Sequence, residues 1–219
     1  MRAMKPLAAF ASALAFALAA TALAQEEAAP AAAPEEAAAE APMSKGQELF
    51  VTCSACHGAD GGTPLMPVYP SLAGQFPEYL MSQFLAFKSG VRQDESMQPF
   101  ADMTSEEDAR EAIAWVSTQK PKVPEATVTP EDAAAGGRIF RGGIVDRRIP
   151  SCAACHGPDG SGIAVQYPRI AGQNADYTIK QLTAFRDGTR TTNQVMADVA
   201  AKMNDKEIKA VANYIASLR

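Results

Sequence analysis

Apolar positions recur at helical spacing in four stretches of this 219-residue chain: Pro77–Lys88, Glu106–Gln119, Asp176–Asp187 and Asp205–Leu218. The first and third run out near Gly90 and Gly188, and the second ends before Pro121. Ser44 with Gln47, Thr104 with Glu107 and Asn204 with Glu207 read as capping-box-like starts. Thr129 precedes a first-turn proline, Pro130. No stretch alternates as a half-buried strand would, so the pattern predicts an all-α chain.

The pattern is duplicated. Gly46-Gln47-Glu48-Leu49-Phe50 matches Gly136-Gly137-Arg138-Ile139-Phe140. Tyr69-Pro70-Ser71-Leu72-Ala73-Gly74-Gln75 matches Tyr167-Pro168-Arg169-Ile170-Ala171-Gly172-Gln173. At the same offset Tyr79, Gln83, Phe87, Gly90 and Arg92 match Tyr177, Gln181, Phe185, Gly188 and Arg190. Two tandem domains, 43–120 and 131–219, joined by a Pro-rich linker at 121–130, account for this economically.

The start of the chain has another character. Arg2 and Lys5 precede an apolar run from Leu7 to Ala20, and Ala22-Leu23-Ala24 is a small-x-small cleavage signal. Residues 1–24 therefore read as a secretory signal peptide. The alternative is a retained anchor, since Leu7–Ala24 nears the lower length limit for spanning a membrane. Residues 25–42 hold only Ala, Glu, Pro and Gln, too little apolar surface to offset ordering entropy, and are expected to be a disordered linker.

Chemistry is concentrated at two points. Cys53-Ser54-Ala55-Cys56-His57 and Cys152-Ala153-Ala154-Cys155-His156 use all four cysteines and both histidines. Cys-x-x-Cys-His is the signature of covalent c-type haem attachment, with the thiols on the vinyl groups and the histidine on the iron. A four-cysteine zinc site, redox dithiols or two small disulfide loops are the alternatives. The histidine after each pair and the recurring context favour two haems. Export agrees, because c-type haem is attached outside the bacterial inner membrane. With no third histidine, the second axial ligand is expected to be a methionine. Met97 and Met196 each lie 40 residues beyond their histidine, whereas Met103 and Met203 have no counterpart in the other repeat. Pro70 and Pro168 could supply the carbonyl that orients each histidine, or could only shape a turn. Met66 lies too close to His57 to reach the opposite face.

Charge sharpens the picture. Residues 43–120 carry 5 Lys/Arg and 10 Asp/Glu, and residues 121–219 carry 13 and 10. An acidic first domain and a basic second one would orient different docking partners. No nucleic acid is expected among them.

Each half resembles a class I cytochrome c domain: a first helix, Cys-x-x-Cys-His, a proline loop, a methionine and a last helix crossing the first. The tandem resembles the dihaem cytochrome c4 family. The residues that narrow the match are Tyr69 through Gln75, Phe140-Arg141-Gly142-Gly143 leading to Ile149-Pro150-Ser151-Cys152, and Tyr167 through Arg190. The resemblance covers about 43–219, and the Ala/Glu/Pro linker departs from it. It implies a periplasmic electron carrier without enzymatic activity of its own, fed by a quinol-oxidising membrane cytochrome complex and drained by a terminal oxidase. It also implies that Phe50 packs near Trp115 and Phe140 near Tyr214, that the domains meet at a pseudo-twofold seam, and that Arg92 and Arg190 either meet haem propionates or stand solvated. Two rivals stand: a haem-bearing subunit docked on a membrane oxidase or dehydrogenase, tethered if the leader is retained, and a dihaem oxidoreductase with one open iron.

Overall fold

The computed structural model describes residues 42–123 and 128–219. The expected signal peptide lies outside the described residues, as does the linker apart from Pro42. In the first repeat the helices are α1 (Lys45–His57), α2 (Pro77–Lys88), α3 (Gln98–Met103) and α4 (Glu106–Ser117). The second repeat contributes α5 (Pro130–Gly142), α6 (Ala153–His156), α7 (Ala175–Arg186), α8 (Gln194–Ala200) and α9 (Asp205–Ser217). Among the described residues only isolated bridges replace strands, as the sequence pattern predicts.

Most starts are those the sequence marks. Ser44 accepts from the Gln47 amide, Thr129 from Asp132, and Asn204 with Glu207 forms a complete capping box. One start differs: α4 is capped by Ser105, which accepts from Asp108, and not by Thr104. Three acidic residues follow Ser105 directly, so a cap there aligns them all with the positive end of the helix. The short helices α3 and α8 have too few turns to leave a periodic signal.

Within each repeat the first helix crosses the last at a glycine. A Cβ on Gly46 would lie 2.5 Å from the Glu111 carbonyl oxygen and 2.8 Å from Trp115 Cβ. Gly136 meets the Ala210 carbonyl and Tyr214 in the same way. One turn on, Phe50 sits 5.0 Å from Trp115 and Phe140 sits 5.4 Å from Tyr214, ring to ring, as expected. Each crossing seeds its own core. Phe50, Leu80, Ala112 and Val116 form the first, and Phe140, Ile149, Met203, Ile208, Val211 and Ile215 the second.

The repeats differ in one place. The matched glycines lie 90 positions apart but the cysteine motifs 99, so the second repeat carries nine extra residues between them. Consequently α1 runs unbroken into its motif, whereas α5 stops at Gly143. The chain there forms a small loop closed by reciprocal Ile144–Ile149 bonds. Arg147 pins it to α9 through Glu207 and to the turn before that helix through the Lys202 carbonyl.

Gly136→Ala should cost about 1–3 kcal/mol by forcing α5 off α9. Gly142→Ala, where nothing lies within 4 Å, should be neutral or stabilising by roughly 0.5–1 kcal/mol. Denaturant titration of the two variants checks the pair, and equal effects would mean that the crossing is not tight.

Candidate haem sites

The last turn of α1 places Cys53, Cys56 and His57 together, since residues three and four apart share a helix face. Gly58, at φ 82°, ends the helix directly after the histidine. In the second repeat α6 repeats the turn, with Cys152 at its cap and Gly157 after His156. Both histidines are buried, 5% and 8% exposed.

Each imidazole has one nitrogen committed. His57 Nδ1 lies 2.9 Å from the Pro70 carbonyl and His156 Nδ1 lies 2.9 Å from that of Pro168. A carbonyl can only accept, so Nδ1 carries the proton and Nε2 keeps a free lone pair. Burial lowers both histidine pKa values despite the carbonyls, which keeps the rings neutral. The prolines the sequence singles out therefore do more than shape turns.

Burial raises the Cys53 thiol and pushes that of Cys152 up to about 11, whereas reactive dithiols depend on a depressed value. Among the described residues no three His, Cys, Asp or Glu side chains gather to hold a metal ion, which removes the shared zinc site. Two thiols and a neutral, oriented imidazole on one buried turn fit covalent haem in both repeats.

The four methionines separate by environment. Met97 caps α3, and its amide is held by Asp94; Met196 lies in α8, and its amide is held by Asn193 at 2.9 Å. Asp94 and Asn193 are themselves 99 positions apart, so the turn bearing each methionine is built alike. Both methionines are half-buried. Met103 is 74% exposed, and Met203 is packed in the second core. Met66 is also exposed.

Where the repeats meet lie the two matched arginines that the resemblance offers either as haem-propionate partners or as solvated side chains. Arg92 and Arg190 are not solvated: both are buried, and their backbones pair antiparallel. Arg92 donates to Gln83, Gln181 and the Tyr177 hydroxyl, and Arg190 donates to Gln181, Gln83 and the Tyr79 hydroxyl, at 2.7–3.1 Å. Exchanging the repeats maps one set onto the other, which is the expected pseudo-twofold seam. Each guanidinium also lies over a phenyl ring of its own repeat, Phe87 at 4.5 Å and Phe185 at 4.4 Å. Burial alone would raise the Tyr177 phenol, but the two guanidinium groups outweigh it and hold it below the usual tyrosine range. Lys180 adds an ion pair to Asp94 at 2.7 Å. There the burial of Asp94 is outweighed by the ammonium and two backbone amides, so its carboxyl sits below its ordinary value. The signal available in the sequence was Gln and Arg recurring at matched positions around otherwise apolar helices.

Comparison with known proteins agrees with the duplication. The cytochrome c family model matches residues 133–219, and that of the cbb3-type cytochrome c oxidase subunit III matches 41–116. Cytochrome c4 of Pseudomonas aeruginosa is 40% identical over 184 residues, covering 82% of this chain and 90% of that one. A thiosulfate dehydrogenase electron acceptor of Stutzerimonas stutzeri is 36% identical over 192 residues, covering 82% and 88%. The crystal structure of reduced recombinant cytochrome c4 from Pseudomonas stutzeri superposes with a TM-score of 0.75 at 38% identity, covering 80% of this chain and 97% of that one. Tandem cytochrome c domains, a motif for one haem c in each, and full-length likeness to such proteins have one account: the chain belongs to the cytochrome c4 family of dihaem electron carriers.

Proposed function

We propose that this protein is a periplasmic carrier with two closed His/Met haem sites, and not an enzyme. One observation carries the reading. At each motif a buried histidine commits Nδ1 to a proline carbonyl, and forty residues on a half-buried methionine stands on a side-chain-capped turn. On this reading Cys53, Cys56, Cys152 and Cys155 would hold the haem vinyl carbons, His57 and His156 would bind iron through Nε2, and Met97 and Met196 would supply the second protein ligand to each iron. Bound haem c supplies a one-electron iron couple. The chain holds the histidines neutral and fixed, and a histidine and a methionine at each iron would leave no position for a substrate. The leader 1–24, linker 25–42, domains 43–120 and 131–219, and connector 121–130 complete the assignment.

For partners, the acidic first domain and basic second domain support two docking ends. One faces a quinol-oxidising membrane cytochrome complex and the other a terminal oxidase. A second reading keeps the carrier and changes the donor to a thiosulfate dehydrogenase, which the name of the Stutzerimonas relative favours. A retained leader would instead tether the chain as a membrane subunit; among the described residues no helix is long and apolar enough to cross a membrane.

Met97→Ala should open the first iron and Met196→Ala the second. Each should remove one thioether–iron absorption band, admit carbon monoxide to the ferrous form and lower that potential. Met103→Ala should leave both bands. Met203→Ala should also leave them, at a stability cost of about 2–5 kcal/mol. Loss of the first band in Met103→Ala would overturn the ligand assignment, and carbon monoxide binding to the unsubstituted protein would favour an enzyme.

Electron transfer should slow as salt rises, and charge reversals in the two domains should slow different partners. Stopped-flow reduction by the quinol-oxidising complex and by thiosulfate dehydrogenase compares the donors, and salt-independent transfer throughout would remove the two-ended docking.

A further inference from the structure

The repeated Leu/Ile-Ala-Gly-Gln segment ends in Gln75 and Gln173, whose side chains cross the seam. Gln173 Oε1 accepts from the Ser71 amide at 2.9 Å, and its Nε2 donates to the Ser71 carbonyl at 3.0 Å. Reciprocally, Gln75 Oε1 accepts from the Arg169 amide at 3.0 Å, and its Nε2 donates to the Arg169 carbonyl at 2.7 Å. Each oxygen also accepts from the amide that begins its own next helix, Asn174 or Phe76. With two N–H groups converging on it, the amide orientation of each glutamine is fixed by its partners.

The Ser71 amide belongs to the peptide group whose oxygen is the Pro70 carbonyl, the acceptor of His57 Nδ1–H. The Arg169 amide belongs to the peptide of the Pro168 carbonyl, the acceptor of His156 Nδ1–H. A peptide group is conjugated, so an acceptor at its N–H shifts electron density onto its oxygen. Hydrogen bonds in series strengthen one another in this way, by roughly 10–30% per bond. A stronger carbonyl acceptor makes the imidazole a more basic iron ligand, and a more basic ligand favours ferric over ferrous iron.

We infer that each domain tunes the other's haem: Gln173 lowers the potential of the haem on His57, and Gln75 lowers that of the haem on His156. Both glutamines are positioning residues acting through a peptide group and a histidine. The inference rests on the reading of the two histidines as iron ligands. It also makes seam closure part of the redox properties of both sites, because a separated domain would lose the acceptor on its histidine-supporting peptide.

The test is a redox titration of the full-length dihaem protein followed by NMR, in which haem methyl resonances resolve the two sites. The histidine Nδ1–H shifts are read in the ferrous state. Gln173→Leu should raise the potential of the His57 haem, moving its ferric-to-ferrous ratio on the order of threefold, about 28 mV at about 59 mV per tenfold change. It should move the His57 Nδ1–H upfield and leave the His156 haem in place. Gln75→Leu should do the converse. Gln173→Glu keeps an acceptor oxygen at the Ser71 amide and should return the His57 proton to, or downfield of, its original shift. That variant keeps the test decisive if the leucine variant does not fold.

A response in the same domain, an equal response at both haems, or a glutamate variant whose His57 proton moves upfield as in the leucine variant would overturn the relay in favour of simple seam loosening. Histidine protons outside the haem ring current would overturn the ligand reading itself, whereas ring-current-shifted protons indifferent to both glutamines would overturn only the relay.

Discussion

A buried imidazole has one proton and one lone pair, and the chain must decide which nitrogen holds which. Here the proline carbonyls decide. Everything else at the sites follows from that pair of 2.9 Å bonds. The carbonyl fixes the tautomer, the tautomer frees Nε2, and burial keeps the ring uncharged at neutral pH. The Pro-containing loop must then lie in one place relative to the cysteine turn. Gly61 and Gly160 secure it: the carbonyl of each accepts from two successive amides, Leu72 and Ala73 in one repeat and Ile170 and Ala171 in the other.

The seam adds a second constraint. Two guanidinium groups are buried together with neutral acceptors and aromatic faces around them. Hydrogen bonds to charged groups contribute about 1.5–3 kcal/mol each, but only when geometry satisfies the donors. The shared Gln83 and Gln181 oxygens, each taking a bond from both arginines, achieve that. An arrangement so dependent on mutual donors and acceptors specifies one registration of the domains, because a small slip would strand buried charge at a cost of about 3–5 kcal/mol.

Much of this was legible in the sequence. The long helices are periodic, and α2 begins and ends at the residues its pattern marks. The motifs name their own chemistry, and the duplicated spacing separates Met97 and Met196 from the other methionines. What escaped has physical reasons. Ser105 and Thr104 are both good caps, and only the folded helix chooses between them. The α3 and α8 turns are shorter than the window periodicity needs. The arginines are polar by type, so burial at a seam formed by two distant segments cannot be read from either segment alone. The crossed glutamine bonds join residues 94 and 102 positions apart, beyond any local pattern.

The separate cores have a consequence for how the molecule comes into being. Each is closed by the pairing of its first helix with its last, and among the described residues neither borrows a side chain from the other repeat. As the chain grows, α1 has its packing partner once α4 has formed, with no residue of the second half needed. The second half must wait for α9, with α5 lacking its partner for some 60 residues of chain growth. The topology thus lets the two cores close one after the other, while the seam, with its buried charges, needs both halves in place.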